Sequence, residues 1–111
     1  MKVGIDIVEI PRIKNSIDKH SDFLTRYFTK AENEMFLTKK INKFQSIAGN
    51  FSAKEAFFKA IGTGVANFSF KEIEILRDNN GKPFINCFGK IEKIIKENNL
   101  EIETSISHTD L

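Results

Sequence analysis

The feature that most constrains this chain is a single apolar stripe. Phe44, Ile47, Ala48, Phe51 and Phe58 recur at three- and four-residue steps between Asn42 and Ile61, which is the period of a helix that buries one face. Gly62 follows as its stop. This is the longest helix the sequence predicts, and with 111 residues the chain has room for one compact domain and not for two. A chain of this size buries roughly 65% of the surface its unfolded form exposes. That leaves little to enclose a large ligand, so a deep site is expected to need a second subunit.

The rest of the chain is read around that helix. Residues 2–10 are β-branched and largely apolar, which predicts a strand buried on both faces, and Pro11 is expected to end it. Helical spacing follows at Ile13 and Ile17, and again at Phe23, Leu24, Tyr27 and Phe28. Thr29 with Glu32 three residues on is a capping box that opens a helix through about Lys39. In 70–77, Ile73 and Ile75 alternate with Glu72 and Glu74, the pattern of a half-buried strand. Asn80-Gly81 is a hairpin signal, and residues 83–88 form the return strand. Ile91, Ile94 and Ile95 mark a short helix ending near Asn98-Asn99, and Ile102, Thr104 and Ile106 a last strand. Strand, helices, two strands, helix and strand make an α+β arrangement, an antiparallel sheet packed against helices in one domain over 1–111.

Charge is nearly balanced, with 17 Lys and Arg against 15 Asp and Glu, a net +2. This is not the composition of a nucleic-acid binder. It is unevenly placed, however: residues 1–60 carry eleven basic and seven acidic side chains, residues 61–111 six and eight. The N-terminal half is therefore the surface expected to meet an anionic partner. A lone cysteine, Cys87, forbids an intrachain disulfide and reads as a small core residue in a reducing compartment. No run approaches the roughly 18 apolar residues needed to span a bilayer, and no secretory signal opens the sequence. The expectation is a cytoplasmic protein.

Two acids stand where carboxylates are costly. Asp6 lies in the middle of the first strand, between Ile5 and Ile7. Glu55, on a wheel of about 100° per residue, falls among Phe44, Ala48, Phe51 and Phe58. A carboxylate buried without a partner either raises its pKa or recruits a cation; the plain alternative is a nearby Lys or a backbone donor. A divalent cation fits the pair, because Mg²⁺ takes oxygen ligands and is typically held by one or two carboxylates with substrate phosphates. Lys59, one turn beyond Glu55, and the adjacent Lys54 place ammonium groups near such a centre, although Lys59 equally makes an i, i+4 pair with Glu55. Gly62-Thr63-Gly64 lets backbone N–H groups approach an anion, but serves as readily as a helix stop. His108 ends the last strand without a second His or a Cys pair at ligand spacing, so zinc is not expected.

Together these residues resemble a known family. Residues 4–10 (Gly-Ile-Asp-Ile-Val-Glu-Ile) followed by Arg12, the block Phe51-Ser52-Ala53-Lys54-Glu55-Ala56, and Lys59 through Gly64 are similar to the holo-[acyl-carrier-protein] synthases. Residues 73–75, Gly81-Lys82-Pro83 and Ser105-Ile106-Ser107-His108 continue the resemblance in order. It implies Mg²⁺-dependent transfer of 4′-phosphopantetheine from coenzyme A to a serine of apo-acyl carrier protein, in fatty acid biosynthesis. The metal would be held by Asp6 and Glu55, with Glu55 taking the serine proton. Lys59, and with it Lys54, would steady the pyrophosphate, and Gly62, Thr63 and Gly64 would pack on the nucleotide. The resemblance also implies a homotrimer with sites at subunit interfaces, where Lys82, Pro83, His108 and Thr109 of a neighbour hold the adenosine 3′-phosphate. Arg12 and Arg26 would meet the acidic carrier protein. No nucleic acid or membrane partner is implied.

Two departures from the family pattern stand out. Asn50 occupies a position where related sequences usually carry a basic residue, which removes one expected phosphate contact, with Lys40 or Lys43 as substitutes. The family also normally continues into a terminal strand, which is expected to be short or missing here. A non-catalytic module binding RNA or an anionic protein through the basic half is the competing reading. Against it, most Phe residues sit on core-facing positions and no basic-aromatic surface motif is visible.

Overall fold

A computed structural model describes residues 3–4, 9–61, 68–97 and 106–107. In chain order the elements are β1 (Val3–Gly4), α1 (Glu9–Lys19), α2 (Phe23–Tyr27), α3 (Lys30–Leu37), α4 (Lys43–Ile61), a 3-10 turn (Phe70–Glu72), β2 (Ile73–Arg77), β3 (Pro83–Cys87), α5 (Gly89–Glu97) and β4 (Ile106–Ser107). The expected α+β class holds. β2 and β3 form an antiparallel hairpin with Ile75 opposite Ile85, while β1 and β4 pair in parallel with Gly4 opposite Ser107.

The long helix is the axis of the core. Its first half carries Ile47, Ala48 and Phe51 into a cluster with Ile13, Phe23, Phe28 and Phe36. Its second half carries Ala53, Phe57 and Phe58 into a cluster with Ile73, Ile75 and Ile91. A helix packed on both sides has an apolar surface wider than one stripe. The buried arc runs Ile47, Asn50, Lys54, Phe57, an i, i+3, i+7, i+10 line centred on two polar residues. Lys54 therefore points inward. Glu55, turned about 100° away, lies on the rim of the helix with its side chain 39% exposed. The expectation of a buried Glu55 is corrected.

Other differences are local. The predicted strand over 2–10 ends early, because Glu9 and Ile10 already belong to α1. Pro11 then sits in the first turn of that helix, where its missing N–H has no partner to lose. Glu72 is in the 3-10 turn and not in the strand: its carboxylate accepts from Ser69 N at 2.9 Å and from Ile91 N at 3.1 Å, tying this turn to the start of α5. Glu74 is 8% exposed and not solvated. Thr29 Oγ1 and Asn86 Nδ2 donate to its two oxygens at 2.6 and 3.1 Å, so β2 is covered on both faces.

The capping box at α3 is formed as predicted. Glu32 N donates to Thr29 Oγ1 at 3.2 Å and Thr29 N to Glu32 Oε1 at 3.0 Å. Because the same Thr29 hydroxyl also serves the buried Glu74, Thr29→Ala loses a cap and a charge-assisted hydrogen bond. The expected destabilisation is about 2–3 kcal/mol, read from urea unfolding; a loss under about 0.5 kcal/mol would show that water replaces both contacts. At the hairpin tip Gly81 takes φ +81, the left-handed conformation that the Asn-Gly pair predicts.

Candidate active site

Glu55 sits where α1 crosses α4. Arg12 reaches across from α1, placing Nη2 3.8 Å from Glu55 Oε1 and its guanidinium carbon 5.8 Å from the centre of the Phe51 ring. Phe51 is one turn before Glu55, so the Arg12 head lies along one side of α4. The 3.8 Å separation is an ion pair longer than a hydrogen bond. It leaves the half-exposed carboxylate oxygens able to accept a hydrated cation. Lys59, one turn further, is exposed. α4 also packs against β1 and β4, the strands that precede Asp6 and His108 in sequence.

Of the other expected site residues, Arg26 is 64% exposed on α2 with Asp22 at 3.7 Å. Lys82 is exposed at the hairpin turn, its N–H on Asp78 Oδ1 at 2.9 Å, and Pro83 opens β3. Asp6, Gly62, Thr63, Gly64, His108 and Thr109 lie outside the described residues. Among the described residues no three His, Cys, Asp or Glu side chains come together as a metal cage.

Lys54 has a different place from the one expected. Its ammonium is fully buried and donates to Glu32 Oε1 at 2.6 Å, Tyr27 O at 2.8 Å and Phe70 O at 3.0 Å, with the Phe28 ring centre at 4.8 Å. All three of its donors are used inside the core, so it does not face a phosphate. Burial pulls the ammonium below the ordinary lysine range, and the charge and hydrogen bond of Glu32 pull it back up. Asn50 is buried beside it. Asn50 Nδ2 donates to Glu32 Oε2 at 3.1 Å and Ile75 O at 2.9 Å, and its Oδ1 accepts from Arg77 at 3.5 Å. A side chain at position 50 therefore addresses Glu32 and β2. It is Arg77, not Lys40 or Lys43, that brings positive charge to Asn50.

Glu32 was legible only as a cap. In the fold it gathers Lys54, Asn50, Thr29 N and Ile75 N, the last at 3.2 Å, joining α3, α4 and β2 at one point. This junction sets the rotation of α4 and hence the outward aim of Glu55. Cys87 is half-buried at the core edge. Burial and the charge of Glu92 push its thiol up to about 11, so it stays protonated and is a poor nucleophile. An open groove of about 400 Å³ between β3 and α5, lined by Ile85, Cys87, Phe88 and Ile95 among others, holds none of the expected site residues. Among the described residues no helix is long and apolar enough to cross a membrane.

Residues 2–106 match the family model described as the 4′-phosphopantetheinyl transferase superfamily. A holo-[acyl-carrier-protein] synthase of Clostridium botulinum (strain Eklund 17B / Type B) is 46% identical over 108 residues, covering 97% of this chain and 87% of that one. The crystal structure of the Neisseria meningitidis holo-[acyl-carrier-protein] synthase superposes with a TM-score of 0.72 at 32% identity, over 90% of this chain and 81% of that chain. The Bacillus anthracis enzyme, solved in complex with CoA (3′,5′-ADP), gives a TM-score of 0.63 at 37% identity, over 80% and 76% of the two chains.

Proposed function

Since this chain belongs to the 4′-phosphopantetheinyl transferase superfamily and, within it, to the holo-[acyl-carrier-protein] synthases, we propose that it moves 4′-phosphopantetheine from coenzyme A to a serine of apo-acyl carrier protein with Glu55 as its central acid. The observation that carries this reading is the exposed rim of α4. The Lys-Glu-Ala block of the family resemblance stands there with Lys54 locked inward and Glu55 turned out beside Arg12 and Lys59.

In this reaction the serine Oγ attacks the phosphorus next to pantetheine. One P–O bond of the pyrophosphate breaks, and adenosine 3′,5′-bisphosphate leaves. Glu55 accepts the serine proton, directly or through a water, since a half-exposed carboxylate can change partners without leaving a buried charge behind. Lys59 holds the pyrophosphate by charge at the end of its flexible stem. Asp6 and Glu55 would hold Mg²⁺, whose chemistry when bound is to neutralise charge on the phosphates and the leaving oxygen. Carboxylate oxygen is the donor chemistry that ion takes, and the half-exposed side chain of Glu55 leaves room for water and substrate oxygens beside it. Gly62, Thr63 and Gly64 would pack on the nucleotide.

The site is completed by a neighbour in a homotrimer, with Lys82, Pro83, His108 and Thr109 of one subunit at the adenosine end of another's coenzyme A. Exposed Phe84 and Phe88 and the apolar groove by β3 supply a face for that packing. The basic half, through Arg12 and Arg26, meets the acidic carrier protein. The setting is cytoplasmic fatty acid biosynthesis.

Mass spectrometry of apo-acyl carrier protein incubated with this protein, coenzyme A and Mg²⁺ tests the proposal. One phosphopantetheine gained on serine, and none with EDTA, is the expected result. No gain with folded protein overturns it.

A further inference from the structure

Among the described residues, the two most exposed large apolar side chains stand four residues apart. Leu37 ends α3 and is 75% exposed, and Ile41, in the turn that leads to α4, is 87% exposed. Lys39, Lys40 and Lys43 lie between and beside them, Lys40 exposed and the other two half-buried. Residues 35–54 contain no Asp or Glu, and none of these three ammonium groups pairs with a carboxylate among the described residues. A fourth lysine joins from α1, where the exposed Lys14 sets its Nζ 4.9 Å from the centre of the Phe44 ring in the first turn of α4. We propose that this turn docks the protein on the anionic surface of a phospholipid bilayer, with Leu37 and Ile41 entering the headgroup region and the lysines facing lipid phosphates. Such docking is independent of the reaction proposed above.

The chemistry of the turn selects that partner. α4 opens on Lys43 with no acid in its first turn, although the positive end of a helix is stabilised by negative groups. No acid of this segment offsets the charge, so it is directed at an anion from outside. A second copy of this chain is a poor occupant, since it would set the same lysines against one another. A folded acidic protein could meet the lysines, but two aliphatic side chains that stand almost wholly in water would each need a fitted pocket on it. A bilayer needs no such match. Protruding aliphatics sink to the acyl boundary while the long lysine stems keep their ammonium groups among the phosphates. Each lysine near an anionic surface raises partitioning roughly fivefold, and a few of them with two aliphatics give reversible attachment. The contact is peripheral: among the described residues no helix is long and apolar enough to cross a membrane.

Sedimentation with vesicles of phosphatidylcholine alone, or with about 30% phosphatidylglycerol added, tests the proposal. The unaltered protein is expected to bind the anionic vesicles roughly tenfold or more tightly than the neutral ones, and added salt should weaken that binding. Lys39→Gln/Lys40→Gln/Lys43→Gln should lower it by about tenfold or more. Leu37→Ser/Ile41→Ser should lower it about fivefold or more, with circular dichroism unchanged because both side chains lie outside the core. The chain has no tryptophan, so in Ile41→Trp the indole emission reports this turn alone. It should shift to the blue on anionic vesicles and be quenched by lipids with brominated acyl chains. Equal binding to the two kinds of vesicle overturns the proposal, as do lysine or Leu37→Ser/Ile41→Ser variants that bind like the unaltered protein. So does an Ile41→Trp emission that keeps its value in water. Binding to a soluble acidic protein that the lysine variant loses, with no binding to either vesicle, also overturns it and assigns the turn to a protein partner.

Discussion

Glu55→Gln is expected to lower the rate of phosphopantetheine transfer by about a thousandfold or more, while circular dichroism shows an unchanged fold. The substitution keeps shape and hydrogen-bonding reach but removes the negative charge. General-base assistance contributes roughly 10²–10⁴ to such a step, and charge neutralisation by a cation several kcal/mol more; both need the carboxylate. The fold does not. Its ion pair with Arg12 is long and half-exposed, worth about 0–1 kcal/mol, and no buried group depends on it in the described contacts. Glu55→Asp, which keeps the charge but withdraws it by one methylene, should fall between the two. A Gln variant within tenfold of the unaltered rate would remove Glu55 from the mechanism.

The largest effect on stability is expected next door, at Lys54→Met. The side chain fits in volume, but Glu32 loses a donor at 2.6 Å and Tyr27 O and Phe70 O lose theirs. Removing one partner of a fully buried pair typically costs about 3–5 kcal/mol, because the other is left charged and unpaired. Urea unfolding measures this, and a loss under about 1 kcal/mol would show that Glu32 is served well enough by Thr29, Asn50 and Ile75. Adding Glu32→Gln to Lys54→Met should restore part of the loss, since the stranded charge is then gone. Glu32→Gln alone has a distinct pH signature. Burial already holds the Lys54 ammonium below the ordinary lysine range, and Glu32 is what raises it; without Glu32 it falls further. The folded state then binds fewer protons than the unfolded state, so stability of the variant rises as pH climbs toward the ordinary lysine range.

These two neighbours show how far the amino-acid sequence could be read. Thr29 with Glu32, Asn80-Gly81, and the helical period of 42–61 were all legible, and each formed where expected. They depend on contacts within a few residues, which a local pattern contains. The inward residue of α4 was not legible, because four apolar side chains pointed to Glu55 while the buried line ran through Asn50 and Lys54. A polar residue becomes a good core residue only when partners reach it, and here those are Glu32, Tyr27 O, Phe70 O and Ile75 O. The N-terminal apolar run likewise looked like one long strand, and gave way to helix at Glu9.

The family, and with it the chemistry to be tested, was determined by the sequence, since residue types in ordered blocks carry that information without coordinates. What only the tertiary structure decided was which of two adjacent residues faces the solvent. Lys54 went inward because three acceptors from α2, α3 and the 3-10 turn converge there. Glu55, about 100° round the helix, was thereby turned out to the surface, where a carboxylate keeps its hydration and can meet a cation.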